Sequence, residues 1–474
     1  MKKQKILNIF KNPGATFLLL SVSFGVLFVF LIPPFQAPDE LAHFYRSYQI
    51  SDLHINADFV TIKNDRVYGG YLPKSVHEDE VALRGNISGN PSGKFKPGLY
   101  KAFIGHPLDK KDKQFVGFVG SAIYSPAPYI PQATGIFLGE LFDLSPLVLT
   151  WLGRLFNLTA WIACVYVAIR IIPLAKWALV ALALNPLSLF LAASLSADAS
   201  TIGSIFIFVS LLLKYKQRGT RLSRKEIAIL TTVVCLIPLF KPTSLIVCLL
   251  VFILPVKAFK NLKNYLIFCL GSLFLATIIT LLWNLSVADI IESAGNVMQP
   301  GLGVSAHEQT KFIFTHPLKY MYALFNTYID PVGPSYGDAV LHSFNGTLGW
   351  LDTNIPQWTI LLHFTVVLAA LVYQFGRGVI ISAKQKIFII GVSVATSIAM
   401  ITALYVGYTK VGASIIQGLQ GRYFIPLSIL WVPLFTGRKK ILNVTEQSFG
   451  ALASSALFIV LSVTTLTIAL RYYA

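Results

Sequence analysis

The chain has 474 residues, of which 55% are hydrophobic and 13% are charged, and its mean hydropathy is +0.65. Soluble domains carry roughly 25% charged residues, so this composition excludes an ordinary soluble fold and predicts a protein that lies in lipid. The net charge of +18 does not indicate nucleic-acid binding, because the basic residues stand in short runs at the ends of apolar segments. We therefore expect membrane lipid, and no nucleic acid, among its partners.

Long uncharged segments recur along the whole chain, and each predicts a helix that crosses the membrane, since about 20 apolar residues span the hydrocarbon core. The first lacks a small-x-small cleavage site, so we interpret it as a retained helix and not as a signal peptide. The sequence predicts an all-α polytopic membrane protein with about eleven crossings, at residues 13–33, 147–169, 174–194, 199–213, 226–240, 243–256, 264–286, 357–375, 387–407, 423–436 and 448–470.

The distribution of charge orients these segments. With the N-terminus in the cytoplasm, basic runs such as Lys214–Lys225 lie inside, and every acid except Glu226 and Glu446 lies outside. A competing topology makes Tyr124–Phe142 a twelfth crossing, but that segment contains three prolines and would invert every later loop. We interpret it as a re-entrant or interfacial helix.

The prediction is one integral membrane domain over residues 1–474 with two long outer regions. Residues 34–146 form the first extracytoplasmic loop, and residues 287–356 form the second. Regions of this length usually carry function, and we expect each to contain interfacial helices.

The most informative stretch directly follows the first apolar segment. Pro38 and Asp39 are residues typical of a helix start, and a helix that begins there places Asp39, His43 and Arg46 on one face. Glu40 adds a second carboxylate. A general base needs a carboxylate beside the attacking hydroxyl, and a phosphate leaving group needs cations or a metal nearby. The alternative is a helix cap followed by an ordinary amphipathic interfacial helix with solvated charges.

Four more isolated charges lie at predicted helix ends, and each has two interpretations. Asp198 either caps a helix or orients an acceptor or a cation. Arg154 either extends its side chain to the membrane interface or binds phosphate. Arg422 is either an interfacial anchor or a bidentate phosphate ligand. Lys241 is either a surface lysine or a third cation of the same site.

The second long loop is rich in aromatic and polar residues, which suit sugar rings but also occur in interfacial belts. They are Tyr320, Tyr322, Tyr328, Asp330, Tyr336, Asp338, His342, Trp350 and Asp352. This composition predicts either an acceptor-binding region or an interfacial aromatic belt. No nucleotide-binding, zinc-protease or serine-hydrolase motif is present in the sequence.

Taken together, these motifs resemble the polytopic glycosyltransferases of the GT-C superfamily, and are most similar to a bacterial family of predicted membrane proteins of unknown function grouped with it. The resemblance covers about residues 33–426, with Leu41 departing from a second proline that many relatives have. It is carried by Pro38-Asp39-Glu40, Ala42-His43-Phe44, Arg46, Gln49, Tyr124–Tyr129, Asn185-Pro186, Ser196–Asp198, Gln420–Phe424 and Pro426.

The resemblance implies an inverting transferase that works on the outer face of the plasma membrane. Its donor would be a polyprenyl-phosphate-linked sugar and its acceptor a cell-envelope glycan. Asp39 would be the general base or a metal-proximal carboxylate, and Glu40 would support it. A divalent cation such as Mg²⁺ or Mn²⁺ could bind these two acids, although nothing in the sequence requires one.

We expect the donor phosphate to be held by cations that come together at the outer end of the bundle, and Asp198 to serve as the acceptor or second acid. The predicted phosphate ligands are His43, Arg46, Arg154, Lys241 and Arg422. Two other functions stay open: a transporter or flippase of lipid-linked saccharides, and a non-catalytic partner in envelope polysaccharide assembly.

Overall fold

The computed structural model describes residues 11–62, 65–329, 336–374, 381–436 and 444–474, and most of them are helical. The first helix, α1 (Pro13–Leu31), begins at a proline, and the side chain of Asn12 caps it by accepting a hydrogen bond from the Ala15 N–H at 3.1 Å. The first loop then contains, in chain order, α2 (Glu40–Ser51), β1 (Asp58–Ile62), β2 (Asp65–Pro73), α3 (Lys74–Arg84), α4 (Gly98–Phe103), β3 (Lys113–Gly117), α5 (Val119–Ala122), a 3-10 turn (Ala127–Tyr129) and α6 (Ile130–Glu140).

The remaining elements form the rest of the bundle and the second loop. They are α7 (Pro146–Ile171), α8 (Lys176–Ala183), α9 (Pro186–Ala192), α10 (Asp198–Arg218), α11 (Arg224–Phe240), 3-10 segments (Pro242–Ile253 and Val256–Phe259), α12 (Leu262–Ser286), α13 (Ala288–Met298), α14 (Ala306–Thr315), α15 (Pro317–Ile329), α16 (Tyr336–Asn345), β4 (Thr347–Leu348), β5 (Thr353–Asn354), α17 (Gln357–Tyr373), α18 (Ala383–Tyr408), a 3-10 segment (Gly421–Leu430), α19 (Trp431–Leu434) and α20 (Glu446–Tyr473).

Six described helices are long and apolar enough to cross a membrane: α1, α7, α10, α12, α18 and α20. Many of the exposed side chains along α12, such as Leu270, Phe274 and Leu282, are apolar. In a soluble protein such a surface would be unstable, whereas in a bilayer it is the face that contacts lipid. The fold is that of a mainly α-helical membrane protein.

Three of the predicted crossings have a different local structure. The predicted helix at 174–194 is two short helices, α8 and α9, because Pro186 has no N–H to continue the hydrogen-bond ladder and restricts Asn185. The predicted helix at 243–256 is a 3-10 segment. The one at 423–436 is a 3-10 segment followed by the four-residue α19.

The first loop departs from the all-α prediction, since it contains a three-stranded antiparallel sheet in the order β1-β2-β3. Asp58 pairs with Gly69 in one ladder, and Gly69 pairs with Gly117 in the other. Within Tyr124–Phe142 the longest helix is α6, whose eleven residues extend about 16 Å and are too short to cross roughly 30 Å of hydrocarbon.

The broken helices α8 and α9 lie at the centre of the bundle. Every residue of α9 is buried, and Asn185 closes the junction: its side-chain oxygen accepts from the N–H groups of Leu187 and Ser188, and its amide donates to the carbonyl of Phe344 at 3.0 Å. The side-chain oxygen and the side-chain amide of Asn185 are therefore both hydrogen-bonded within the protein at this break.

Candidate functional site

The predicted helix after the first apolar segment is confirmed as α2, and Asp39 stands at its N-terminal boundary. Asp39 has a left-handed backbone conformation with φ of 58°, and its side chain does not cap the helix. Instead its Oδ2 accepts a hydrogen bond of 2.6 Å from Arg422 Nη2, while half of the side chain (51%) stays exposed. A carboxylate in this position can contact a substrate.

Two further charges extend this pair. Arg422 Nη1 lies 3.7 Å from Asp198 Oδ2, and Lys241 Nζ lies 3.8 Å from Asp198 Oδ1. Lys241 also lies over the ring of Tyr423, 4.3 Å from its centroid. The structure thus brings together residues from four distant parts of the chain, namely Asp39, Asp198, Lys241 and Arg422, which we call the charged cluster.

Arg422 is positioned by a close approach between two segments. The backbone of Gly421 packs so tightly on α16 that an added Cβ would lie 2.0 Å from the backbone nitrogen of Phe344. Its N–H donates to the Ser343 hydroxyl at 2.7 Å. Only glycine fits there, so the glycine before Arg422 determines where the guanidinium enters the cluster.

Asp198 is positioned by the turn that leads into α10. The side-chain amide of Asn157 donates to the carbonyls of Ser194 and Ser196, at 2.7 Å and 3.2 Å. The Asp198 N–H donates to the Ser196 hydroxyl at 3.2 Å. The Asp198 side chain is not a helix cap, because it forms ion pairs with Arg422 and Lys241.

His43 lies one turn after Asp39 and is buried among tyrosines. Its Nδ1 is 2.8 Å from the Tyr129 hydroxyl, and its ring neighbours that of Tyr124. Burial lowers the pKa of His43, and the opposing charges of Asp39 and Asp198 do not reverse that direction. The imidazole is therefore neutral at pH 7, and it serves as a polar wall of the site and not as a phosphate-binding cation.

Arg422 determines the charge state of Asp39. Burial raises the pKa of the Asp39 carboxyl, but the charge of Arg422 and the hydrogen bond from Arg422 lower it below its ordinary value. Asp39 is therefore ionised at neutral pH, as a base must be. Burial lowers the pKa of Lys241, as does the charge of Arg422, while Asp198 opposes this shift.

Glu40 and Arg154 form a separate, fully buried ion pair. Arg154 Nε and Nη2 donate to the two carboxylate oxygens of Glu40, at 2.8 Å and 2.7 Å. Its remaining N–H groups donate to the carbonyls of Val29, Ile32 and Pro33 at the end of α1. Both side chains are 0% exposed. The predicted roles in catalysis and phosphate binding do not fit this geometry, which ties α1, α2 and α7 together.

Arg46 also lies outside the charged cluster. Its guanidinium donates to the side chain of Gln49 and to the backbone carbonyls of Ile55 and Tyr124. Arg46 is fully buried and lies apart from Arg422 and Lys241. Its position on the same helical face as Asp39 therefore does not bring it to the predicted donor phosphate.

The predicted metal site at Asp39 and Glu40 does not fit the structure either. The two carboxylates are engaged by different arginines, Arg422 and Arg154, and Glu40 is buried. Within the described ranges no group of three or more His, Cys, Asp or Glu side chains could hold a metal ion. The positive charge beside Asp39 comes from Arg422.

Sequence reasoning missed the three tyrosines that line the cluster, Tyr124, Tyr129 and Tyr423. The signal was present, since all three lie inside motifs that carried the resemblance. In the second loop, the Trp350 indole donates to the Phe35 carbonyl and Asp352 pairs with Arg471. Asp330, and the side chains of Tyr328, Tyr336 and Asp338, lie outside the described residues.

The comparisons with known proteins agree with the membrane fold. A family model described as a predicted membrane protein (DUF2142) matches residues 22–431, which include the whole charged cluster. No curated protein and no solved structure matches the chain. Because the matched range covers most of the sequence, the chain belongs to the DUF2142 family of predicted membrane proteins.

Proposed function

We propose that the chain is an inverting membrane glycosyltransferase of the GT-C type, which moves a sugar from a polyprenyl-phosphate-linked donor to a cell-envelope glycan. The observation that carries the proposal is Asp39: an ionised, half-exposed carboxylate held in a left-handed conformation beside the cations Arg422 and Lys241. Backbone conformations of this kind cost roughly 1–3 kcal/mol for a residue other than glycine, and they concentrate at functional sites.

In the proposed reaction the acceptor hydroxyl attacks the anomeric carbon from the side opposite the phosphate. Asp39 takes the hydroxyl proton as the new glycosidic bond forms. The bond between the anomeric carbon and the phosphate oxygen breaks, and polyprenyl phosphate leaves with the electron pair. Arg422 and Lys241 stabilise the charge that develops on that phosphate, while Asp198 holds both cations in place.

Arg422 would change partners during this cycle. Its Nε is buried and has no hydrogen-bond partner among the described residues, so one donor remains for a phosphate oxygen. When a donor phosphate neutralises the guanidinium, Arg422 lowers the pKa of Asp39 less. The base then becomes stronger in the complex than in the free enzyme.

The proposal includes the topology. We propose eleven crossings, made by the six long helices together with α8–α9, α11, the 3-10 segment Pro242–Ile253, α17 and the segment from Gly421 to α19. The N-terminus would lie in the cytoplasm and the charged cluster on the extracytoplasmic side. Labelling of single cysteines with a membrane-impermeant maleimide tests this: a cysteine at Asp58 should react from outside in intact cells, and one at Lys216 should not.

Turnover by the purified protein tests the enzymatic proposal. Protein in lipid nanodiscs should consume a polyprenyl-phosphate sugar when a glycan acceptor is present. Asp39→Asn should lower kcat at least about 100-fold, the usual contribution of a general base, whereas Asp58→Asn, at an exposed acid of the same loop, should retain activity. Full activity of Asp39→Asn would refute the assignment of the base.

One observation favours a second function, transport of a lipid-linked saccharide. Transporters often place their sites at broken helices, and the chain breaks at Asn185 and again before Asp198. In this protein, however, the Asn185 side chain already bonds to Leu187, Ser188 and Phe344. Movement of the donor across liposomes without any turnover would support transport over glycosyl transfer.

A further inference from the structure

Beside the charged cluster lies a cavity of about 160 Å³ between the sheet of the first loop and the end of α12. Arg46 lies along it, Arg66 and Asp289 stand at its rim, and Phe59 and Trp283 form part of its wall. A cavity of about 150 Å³ is large enough to hold one benzene-sized ring. This cavity therefore has room for a single six-membered ring and not for a lipid tail.

Arg46 is a buried cation without a counter-ion. Its partners are the neutral oxygens of Gln49, Ile55 and Tyr124, and in the described part of the chain no carboxylate pairs with it. Its Nε has no hydrogen-bond partner there. Burial lowers the pKa of Arg46 to about 10, so it stays charged at neutral pH. Buried charges are normally paired, and a missing partner indicates that a ligand supplies it.

The rim carries charges that a ligand can rearrange. Arg66 Nη1 lies 3.6 Å from Asp289 Oδ2, and both side chains are more than half exposed. The Arg66 guanidinium lies over the Phe59 ring, 4.9 Å from its centroid. Two arginines and one carboxylate leave the cavity with a net charge of +1, which matches a ligand with one negative charge.

The wall supplies an aromatic surface. The Trp283 indole N–H donates to the carbonyl of Ile123 at 3.0 Å, which fixes the orientation of the ring. Fixed aromatic faces with polar groups around them suit the apolar face of a sugar ring. Together, the size, the charge and the wall describe one acidic sugar residue.

The cavity adjoins the charged cluster through Tyr124. The carbonyl of Tyr124 accepts a hydrogen bond from Arg46 at 3.3 Å, while its ring neighbours His43, one turn after Asp39. A glycan bound in the cavity would therefore lie next to Tyr124, whose ring forms part of the wall of the proposed active site.

We propose that this cavity binds a single carboxylate-bearing sugar residue, a uronate, of the glycan acceptor. The identity of the ligand as acceptor rests on the proposed function, but the binding of a uronate does not. Arg46 provides the buried positive charge, Arg66 closes over the ligand from the rim, and Trp283 contacts its ring. Asp289 competes for Arg66 until the uronate replaces it.

Titration calorimetry on the full chain in nanodiscs at low ionic strength tests the proposal without any turnover. Glucuronate, which has ring and charge, should bind at least about tenfold more tightly than glucose, which has only the ring, or inorganic phosphate, which has only charge. Equal affinity for phosphate and glucuronate would mean a general anion site and would overturn the proposal. Equal affinity for glucose and glucuronate would overturn the role of Arg46 and Arg66.

Two substitutions at the rim of the cavity should change the affinity for glucuronate in opposite directions. Arg66→Gln should weaken glucuronate binding about tenfold, and Asp289→Asn should tighten it, because the competing carboxylate is gone. Lys111→Gln, at an exposed lysine of the same loop, should leave binding unchanged. Neither rim residue is buried, so both variants should fold.

The outcomes separate the two proposals. Glucuronate binding by a protein that never turns over a polyprenyl-phosphate sugar would leave the cavity assignment standing and contradict the transferase. The opposite result is glycosyl transfer to an acidic glycan that Arg66→Gln does not affect, from a protein that does not bind glucuronate. That result would support the transferase and overturn the cavity assignment.

Discussion

At the scale of single residues, two consecutive carboxylates have opposite surroundings. Asp39 precedes the first turn of α2 and remains half exposed, whereas Glu40 begins the helix and is fully buried against Arg154. The left-handed conformation of Asp39 turns the two side chains toward different arginines. Sequence spacing alone could not distinguish them, because both would be plausible bases at a helix start.

Substitution of Glu40 should act mainly on stability. In Glu40→Gln the charge of Arg154 remains buried without its carboxylate, so the free energy of unfolding should fall by about 3 kcal/mol. Asp39→Asn should change it by less than about 1 kcal/mol, since that pair is partly solvated and asparagine tolerates a left-handed conformation. Thermal unfolding in detergent measures both, and equal losses would contradict the division of roles.

The pH profile should report the exchange of partners by Arg422. In the free protein Arg422 keeps the pKa of Asp39 below its ordinary value, so the acid limb of kcat/KM should lie at low pH. In the complex the donor phosphate neutralises Arg422, which raises the pKa of Asp39, so the acid limb of kcat should lie at higher pH. If the acid limbs of kcat/KM and kcat coincide, Arg422 stays paired with Asp39 throughout the cycle.

At the scale of elements, the site depends on segments that are not long helices. Arg422 is the second residue of one 3-10 segment, and Lys241 directly precedes another. Asp198 is the first residue of α10, which follows a broken helix. Hydropathy predicted where these apolar segments lie, but not whether they form α-helices, 3-10 helices or broken helices. The break at Pro186 was not predicted, because hydropathy alone gave residues 174–194 as one crossing, and the sheet of the first loop had no strong alternating pattern to predict it.

Gly421 provides a test at this scale. Gly421→Ala would place a Cβ 2.0 Å from the Phe344 nitrogen and 2.3 Å from the Val340 carbonyl oxygen, so the 3-10 segment must move away from α16. We expect a loss of roughly 1–3 kcal/mol in stability, together with a large loss of activity as Arg422 shifts.

The matched control is Gly271→Ala in α12, where an added Cβ meets nothing within 4 Å. Alanine is favoured over glycine in a helix by about 1 kcal/mol, so this variant should be as stable as the parent or more stable. Unfolding temperatures and turnover of the two variants should diverge, and similar behaviour would show that the close approach has no role.

At the scale of the whole molecule, the end of α20 is joined to both long loops. Arg471 donates to the carbonyls of Ile87, Asn90 and Gly93 in the first loop and pairs with Asp352 in the second at 2.7 Å. Composition and charge predicted the membrane class and the positions of the loops. They could not predict this connection, because it pairs residues more than 100 positions apart.

A double-mutant cycle measures the connection. Arg471→Met should lower the free energy of unfolding by about 3 kcal/mol, because the largely buried Asp352 loses its partner. Adding Asp352→Asn should restore part of the loss, since the uncompensated charge is removed. Strictly additive effects in thermal unfolding would mean that the two residues do not interact.

The bonds of Arg154 also govern the order in which a nascent chain can be completed. Three carbonyls at the end of α1 receive their donors from Arg154, so the first helix has a bonded C-terminal end only after α7 has been synthesised. The pair between Asp39 and Arg422 forms much later, because Arg422 is synthesised 383 residues after Asp39. A ribosome-bound intermediate would therefore hold the bonds of Arg154 while its charged cluster was still incomplete, and it would acquire a full set of cluster residues only after most of the bundle had been synthesised.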